Sequence, residues 1–469
     1  DATQLTLQAD YHQINTKYIT FLPAVGTLDT QYGKIDRESF VGVPDFDKYD
    51  NERYTIGYKI SHKVTPELKI EHNLRRMKVD VDMPRVFWDR AVDENNDIYS
   101  RSSQKRRDAS EVTTSGLSAQ YDWSVGDNFD NVSLVGIDYS DTSQETERYN
   151  GTSTNINLLN PDHSQDSISD EFTAYPYSGR QDSKQTGIYA QNQLTFNDKI
   201  TALIGIRHDK VEGVETAIFE PKTSTSGDYS ATTGRIGLVY LMDSGVAPYA
   251  SVSQSFDVET GKDRNGNLFE PTRGEQYEIG VRYQPEGSDT LLTGALYRID
   301  QTDVLVADPN NSAFDYFKIQ LGEVRSQGVE LEARTQLGDN SNLIIAYDYT
   351  DARTIKPSPL YPEEEGKRKG EVPYNTFSLW SDYRFTDFGM PNLKMGVGLR
   401  FKDNTLLLSD ESEVPSYTLV DAMASYDWSN NMKLSLNIKN LFDEDSIVCV
   451  YDCNYIEPRN IVGKVTYKW

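Results

Sequence analysis

Apolar and polar residues alternate one by one in many separate stretches of the chain. In the stretch GEQYEIGVRY, Ile279 and Val281 alternate with Glu278, Gly280 and Arg282. Neighbouring side chains point to opposite faces of a β-strand, whereas a helix would scatter both classes around its circumference. The pattern therefore predicts β-strands that each have one apolar face and one polar face.

About 18 such segments follow one another, each about 10 to 14 residues long and so longer than the average strand of a globular protein. The predicted strands span residues 3–14, 53–64, 68–79, 110–123, 131–140, 184–196, 199–211, 231–242, 247–256, 274–285, 290–300, 325–337, 341–353, 372–386, 392–403, 416–428, 431–443 and 457–469. This series predicts an all-β fold.

The connections between the predicted strands alternate in length. Short turns, such as TPE at 65–67 and ND at 197–198, take turns with long loops, which are predicted at 15–52, 80–109, 141–183, 212–230, 257–273, 301–324, 354–371 and 444–456. A soluble β-sandwich has no reason to alternate in this way. An outer-membrane barrel does, because its periplasmic turns are tight and its extracellular loops are long. We therefore expect a transmembrane antiparallel β-barrel.

The composition fits a barrel with much wet surface. The chain has 30 tyrosines, only 37% hydrophobic residues and a formal net charge of −26. So large a negative charge argues against nucleic acid as a partner, because the phosphates would be repelled. The sequence contains no run of about 18 apolar residues, so it predicts no transmembrane helix.

Energetic cost decides which face of each strand meets lipid. A charged side chain that faces lipid near the bilayer centre costs about 2–4 kcal/mol. The charged residues of the alternating segments are therefore expected to face the lumen, among them Glu278, Arg282, Glu330 and Lys439. Tyrosines at strand ends are expected in the interfacial aromatic girdles, namely Tyr240, Tyr249, Tyr283, Tyr297 and Tyr467.

Eight stretches, in family order, resemble the barrel of TonB-dependent outer-membrane receptors, and within them the ferric-siderophore receptors of the ferrichrome and hydroxamate type. They are TFLPAVGT with FVGVPDFDKYD, KQTGIYAQNQ, PYASVSQSFD, GKDRNGNLFEPTRGEQYEIGVRYQP, GEVRSQGVELEAR, VPYNTFSLWSDY, PSYTLVDAMASYDW and NLFDEDSIVCVYDCNYIEPRNI. The resemblance implies a receptor that binds an Fe(III)-siderophore cargo outside the cell and passes it to the periplasm. It implies neither catalysis nor a covalently bound cofactor.

The same resemblance implies a barrel of about 22 strands that is filled by an N-terminal plug domain. No plug-like sequence precedes Thr3, and the opening DATQLTLQADYHQ is similar to the family's fifth strand. We therefore expect residues 1–469 to form the barrel domain, with the plug and the first four strands missing and two sheet edges unpaired. This chain alone is not expected to support uptake.

The partners implied by the resemblance are those of a bacterial outer-membrane receptor. They are the ferric siderophore, TonB through the missing plug region, the barrel-assembly machinery, and outer-membrane lipid and lipopolysaccharide. The long loops are expected outside the cell and the short turns in the periplasm. A monomer is expected.

The resemblance also implies a set of ligand-binding aromatic residues. Phe21 in TFLP matches a pocket aromatic with Tyr18 close by, Phe256 in SQSFD matches another, and Tyr149 in ERYNG is a looser match. Flat, rigid rings suit a neutral hydroxamate complex. One aromatic of the family is Ile19 here, so the identity of the ligand stays open. Loop packing or anchoring in the girdle is the alternative role for all four aromatic residues.

Other chemistry finds little support in the sequence. The acidic loops DENND at 93–97, DRNGN at 263–267 and EEE at 363–365 lack the spacing and the distal glutamate of a calcium loop, so solvated loops are expected. The five histidines show no H-x-x-x-H spacing, and no nucleophile elbow is present. We predict neither a metal site nor an enzyme.

The chain ends on its only two cysteines and a terminal aromatic strand. Cys449 and Cys453 lack nearby residues that could complete a zinc site, whereas a disulfide needs only an oxidising compartment, so a disulfide is predicted. The family also tends to carry a cysteine pair in this loop. In the final strand Tyr467 and Trp469 fall on the outward face, and the resemblance implies that the assembly machinery reads them.

Two alternatives to a hydroxamate receptor stay open. The first is a passive channel, which a barrel without a plug could become. The second is the same receptor class with another cargo, namely haem, a catecholate siderophore or cobalamin. Haem receptors offer axial histidines, and only His163 lies in a long loop here. Catecholate complexes are strongly anionic, which the negative net charge disfavours.

Overall fold

The fold is almost entirely antiparallel β-sheet. The structure is a computed structural model that describes residues 2–93, 97–175, 178–219, 222–259, 261–311 and 317–469. Its helical residues form two short 3-10 turns, Pro362–Glu364 and Phe385–Phe388. No helix within these ranges is long and apolar enough to cross a membrane.

The described residues form 24 strands. In chain order they are β1 (Thr3–Thr16), β2 (Tyr49–Lys63), β3 (Leu68–Asp82), β4 (Arg85–Ala91), β5 (Ile98–Val125), β6 (Phe129–Asn157), β7 (Thr173–Ala174), β8 (Gly179–Phe196), β9 (Ile200–Ala217), β10 (Ser224–Tyr240), β11 (Val246–Asp257), β12 (Thr272–Tyr283), β13 (Leu291–Ala307), β14 (Lys318–Leu337), β15 (Ser341–Lys356), β16 (Asn375–Arg384), β17 (Leu393–Lys402), β18 (Thr405–Leu406), β19 (Glu413–Val414), β20 (Tyr417–Ser429), β21 (Met432–Lys439), β22 (Ile447–Cys449), β23 (Cys453–Tyr455) and β24 (Asn460–Tyr467).

Eighteen of these strands form one continuous meander, in which each strand pairs with the next along the chain. The six short strands lie outside this series. β4 and β7 pair with the upper parts of β5 and β6, while β18 with β19 and β22 with β23 form small hairpins in the loops. The predictions of an all-β fold and of about 18 strands are confirmed.

The connections alternate in length as predicted, with one exception: the connection between β9 and β10, predicted as a long loop at 212–230, has only six residues, 218–223. At one end of the sheet the meander strands are joined by turns of two to eight residues, at 64–67, 126–128, 197–199, 241–245, 284–290, 338–340, 385–392 and 430–431. In the turn after β8, Asn197 and Asp198 have φ of 51° and 56°, which matches the left-handed backbone of a type I′ hairpin. The long connections leave from the opposite end.

Several strands are much longer than predicted. β5 has 28 residues and β6 has 29, so most of the loops predicted at 80–109 and 141–183 is strand. These extensions lack the alternating apolar residues because they lie beyond the apolar band, where neither face meets lipid. Ladder hydrogen bonds between backbones hold them as strand whatever the side chains are.

The two faces of the sheet differ in polarity, as the alternation predicts. Ile279 and Val281 are 57% and 44% exposed on one face. Glu278, on the other face, accepts hydrogen bonds from the Tyr249 hydroxyl at 2.7 Å and from Gln276 Nε2 at 2.8 Å. The exposed face is apolar and the interior face is polar, which is the reverse of a soluble protein and suits a lipid-facing wall.

Charged residues on the interior face pair across strands. Arg207 donates to Asp138 at 2.7 Å and to Asp209 at 2.8 Å. Asp209 is fully buried and also accepts a hydrogen bond from Gln185 at 2.8 Å. Buried charge is tolerated only where such partners satisfy it. The polar interior of this part of the wall is therefore a network in which each charge faces its opposite.

Two of the tyrosines predicted for the aromatic girdles face the interior instead. The Tyr249 ring covers Gly280, where an added Cβ would lie 2.6 Å from a ring atom. Tyr297 covers Gly328 on the neighbouring strand, and its hydroxyl lies 3.0 Å from Thr350 Oγ1. The girdle prediction is wrong for these two residues because the alternation along each strand turns them inward, where the glycine opposite each ring leaves room for it.

The meander has two edges, β1 and β24, each of which pairs on one side only among the described strands. Every residue of β1 is exposed. The loops near these edges meet at the long-loop end of the sheet. Leu22 and Cys453 form an antiparallel bridge there, and Arg37 pairs with Asp443 at 2.8 Å. The sheet therefore curls so that its first and last loops touch.

The two faces of β12 should differ in how strongly a change of charge alters the free energy of unfolding. Ile279→Arg should lower the free energy of unfolding by about 2–4 kcal/mol, because a guanidinium would replace an apolar side chain in lipid. The neighbouring Glu278→Gln, on the interior face, should change it by less than about 1 kcal/mol. Urea titration in lipid vesicles measures both, and equal losses would contradict the assignment of faces.

Candidate ligand-binding site

The first long connection, residues 17–48, is fixed above the end of the sheet by contacts with β4. The Thr20 hydroxyl donates to the Val86 carbonyl oxygen at 2.7 Å. The Trp88 indole Nε1 donates to the Phe21 carbonyl oxygen at 2.8 Å. With the Leu22 bridge to the last loop, these bonds hold the TFLP segment from two sides.

Tyr18 and Phe21 lie together on this fixed segment. Arg85 Nη1 donates to the Tyr18 hydroxyl at 2.7 Å, and the guanidinium lies 5.0 Å from the centre of the Tyr18 ring. This cation–π contact and hydrogen bond hold the ring in one orientation. Phe21 leaves half of its surface exposed. The segment thus offers one fixed ring and one open aromatic face.

Three further candidate residues were missed in the sequence because PRVFWDR was assigned to a loop. In the structure this stretch forms β4, which brings Arg85 to Tyr18 and Trp88 to Phe21. The Arg85 guanidinium also lies 5.8 Å from the ring centre of Phe87. Two adjacent aromatic residues between two arginines, inside a long loop, are the sequence signal that could have identified this stretch.

The structure does not bring Tyr149 and Phe256 to this segment. The register of β6 with β5 is unbroken from Thr152 to Phe129, so Tyr149 shares the apolar outer face with Ile137. Its ring packs edge-on against Phe219 at 5.1 Å. The alternation along β11 likewise places Phe256 on the outer face, together with Val252. Neither Tyr149 nor Phe256 therefore lies on the interior face of the sheet.

A buried arginine fixes the far part of the first long connection. The side chain of Arg101 is fully buried and donates to the carbonyl oxygen of Val41 at 2.9 Å and to the backbone of Thr154 at 2.7 Å. It also pairs with Asp166, which His163 Nδ1 contacts at 2.7 Å. One cation thereby joins three segments that are distant in sequence.

Asp47 is the second buried charge in this region. Its carboxylate accepts hydrogen bonds from the backbone N–H groups of Val43 at 2.9 Å and Val86 at 3.1 Å. Burial raises the pKa of Asp47 to about 6, although the two N–H groups and Arg101 act in the opposite direction. The docking of the first long connection on β4 therefore includes a titratable group.

Cys449 and Cys453 are joined by a disulfide in the last long loop. Cys453 is fully buried and Cys449 nearly so, in a small core with Leu407 and Val414. Leu28 of the first long connection packs against the same core. The disulfide thus lies where three loops meet, next to the TFLP segment, whose Leu22 forms a bridge with Cys453.

The terminal aromatics lie on or beyond the last strand. Tyr467 is the ladder partner of Met432 on β21 and is 61% exposed. Trp469 is fully exposed just beyond the strand. Their role as an assembly signal stays a prediction.

The acidic loops show local structure. Asp263 of DRNGN accepts hydrogen bonds from the side chain and backbone of Asn267 and from the backbone of Asn265, which hold its pKa below the ordinary value. Most of DENND, residues 94–96, lies outside the described residues. Within the part of the chain that is described, no three His, Cys, Asp or Glu residues are placed to hold a metal ion.

The chain belongs to the family whose model is described as "TonB dependent receptor-like, beta-barrel", which matches residues 1–441. The barrel of this family resides in the outer membrane. The 18-stranded meander, with its apolar exterior and polar interior, is this barrel fold.

Two relatives are named for the siderophores ferrioxamine B and ferrichrome. The chain is 33% identical, over its whole length, to the ferrioxamine B receptor of Salmonella typhimurium, and 28% identical to the ferrichrome outer membrane transporter/phage receptor of Escherichia coli K12. It spans 66% of the length of each of these two proteins. The siderophore receptor PiuA of Acinetobacter baumannii shares the fold, with a TM-score of 0.87 at 20% identity over 100% of this chain and 72% of that one.

The raised pKa of Asp47 predicts a pH-dependent stability. The folded protein binds the Asp47 proton more tightly than the unfolded chain does, since the pKa is about 6 against an ordinary 3.8. This contribution is present below pH about 4 and is lost as the pH rises through about 6, by at most about 3 kcal/mol. Thermal unfolding of the wild type should therefore shift between these pH values relative to Asp47→Asn, which cannot ionise. Parallel pH profiles would contradict the assignment.

Proposed function

We propose that the complete gene product is an outer-membrane receptor that takes up a ferric siderophore with energy from the TonB complex. The family membership and the receptors that it resembles support this class of function. The observation that carries the proposal is the fixed aromatic surface of the first long connection. It places exposed aromatic area at the long-loop end of a polar-lined barrel, where a chelate would enter.

A hydroxamate siderophore is the cargo class that this surface fits. Tyr18, Phe21 and Phe87 offer flat, rigid rings that bury apolar area at low entropic cost, and Trp88 supports Phe21 from the core. Two relatives are named as receptors for ferrioxamine B and for ferrichrome, which supports the same class.

The unpaired edges indicate how the barrel is completed. Since β1 and β24 each lack one neighbour among the described strands, further strands of the same gene product would close the wall between them. A plug domain would then fill the lumen and offer the contact to TonB. We propose that residues 1–469 are the barrel domain of such a receptor, which acts as a monomer.

The orientation in the membrane follows from loop length and from the outer face. The long loops face the cell exterior and the short turns face the periplasm. Outward tyrosines such as Tyr240 and Tyr467 anchor the wall in lipid and lipopolysaccharide. The barrel-assembly machinery reads the last strand, which ends in Tyr467 and Trp469.

The site predicts a difference between aromatic residues of the two faces. In the complete gene product, Phe21→Ala should weaken the binding of ferrioxamine B or ferrichrome about tenfold or more, because an exposed ring of the mouth is lost. Tyr149→Ala, on the outer face, is the matched control and should leave binding unchanged. Quenching of tryptophan fluorescence by the ferric chelates measures both.

Growth on a ferric siderophore as the sole iron source tests the whole function. The complete gene product should rescue a strain that lacks its own receptors, and only while TonB is present. Rescue that persists without TonB would indicate a passive channel, and failure with every hydroxamate would refute the cargo class.

A further inference from the structure

Two arginines face each other directly across β5 and β6. Arg106 is the ladder partner of Arg148, and the register around them is unbroken. Both residues therefore lie on the face that carries Asp138, which is the interior face. Side chains of directly opposed residues approach to about 5 Å at Cβ, and like charges at that separation destabilise a sheet.

Arg148 lacks the partner that would normally compensate it. Its Nε is buried without a hydrogen-bond partner, and its guanidinium lies 5.9 Å from the centre of the Tyr175 ring. Arg106 has a carboxylate, since its Nε donates to Asp108 at 2.8 Å. Burial, and after it the charge of Arg106, lowers the pKa of Arg148, whereas Asp108 and Tyr175 act in the opposite direction.

Arg85 adds a third cation to this group. Its charge also acts on Arg148. Its hydrogen bonds go to neutral acceptors, namely Gln104 Oε1 at 3.0 and 3.2 Å and the Tyr18 hydroxyl at 2.7 Å. Within the described ranges, neither Arg85 nor Arg148 has a carboxylate within ion-pair distance. Three guanidinium groups therefore share one carboxylate, that of Asp108.

This excess of cations contrasts with the rest of the protein, which has a net charge of −26. Arg207, farther down the same face, has two carboxylate partners. Arg107, one residue from Arg106 but on the outer face, pairs with Asp80 at 3.4 Å. A chain so rich in carboxylates leaves these three arginines with one carboxylate, and the unpaired buried Nε of Arg148 costs stability. An anion from outside would relieve both the repulsion and the unmet hydrogen bond.

We propose that Arg85, Arg106 and Arg148 form a subsite for a carboxylate group carried by the ferric siderophore. The inference rests on the proposed function and narrows its cargo to chelates that bear an acidic arm. The guanidinium fork matches the two oxygens of a carboxylate. Arg85 links the subsite to Tyr18, so the acidic arm would lie next to the rings that hold the chelate.

Three probes with one ferric core and different terminal charge test the subsite. Ferrioxamine B ends in an amine, its N-acetyl derivative is neutral there, and its N-succinyl derivative ends in a carboxylate. The Kd of each for the complete gene product in detergent follows from tryptophan fluorescence quenching. The succinyl probe should bind about tenfold more tightly than the acetyl probe, and the amine should bind most weakly. The preference for the succinyl probe over the acetyl probe should become smaller when the NaCl concentration is raised from about 0.05 M to about 0.5 M.

Variants separate the subsite from general charge effects. Arg148→Gln and Arg85→Gln should each abolish most of the preference for the succinyl probe. Arg107→Gln is the matched control, because it removes the same charge one residue away on the outer face, and it should keep the preference. Arg148→Gln should also unfold at the wild-type temperature or above, since it removes one of two opposed cations. A lower unfolding temperature would indicate that the charge of Arg148 stabilises the fold, and this result would overturn the subsite.

The outcomes distinguish the subsite from the proposed function. Equal binding of the three probes, or a preference that survives in Arg148→Gln, would overturn the subsite while the hydroxamate receptor stands. Failure of all three probes to bind would refute the hydroxamate cargo, and the subsite with it.

Discussion

The structure depends on one constraint, which is that a strand in lipid must hydrogen-bond to a neighbour on each side. The meander meets it by pairing each strand with the next, and no helix is needed to carry the chain back. The constraint acts on backbones, so β5 and β6 continue as a ladder far beyond the apolar band. The same rule calls for a partner on the outer side of β1 and of β24, which each pair on one side only among the described strands.

A polar interior adds a second requirement, because charges turned away from lipid must find partners among themselves. Arg207 meets it with Asp138 and Asp209. At the mouth the requirement is left unmet, and Arg148 faces another arginine across the ladder. The difference between these places marks where the protein satisfies its own charges and where it leaves charge for a ligand.

The alternation of apolar and polar residues was enough to predict most of the fold. It missed those parts of the strands that are held by backbone hydrogen bonds and not by their side chains. It identified the strands and both faces of β12, because a charge in lipid is costly. It could not extend β5 into polar sequence, which only the ladder holds. Tyr249 was assigned to a girdle because it lies near a strand end, although the alternation with the outward Val252 already turns it to the inner face. The candidate site was harder to predict from the sequence than the fold. The TFLP motif identifies Phe21, but nothing in the motif indicates that β4 holds this segment in place.

The mouth owes its shape to contacts between distant parts of the chain. Arg101 and Asp47 fix the first long connection to β4 and β5, and the Leu22 bridge joins it to the disulfide loop. Loops fixed in this way lose little entropy when a ligand binds, so rigid rings can contribute their full buried area. The arginines stand on the same support, because β4 carries Arg85. Aromatic area and uncompensated charge are thus offered from one rigid scaffold.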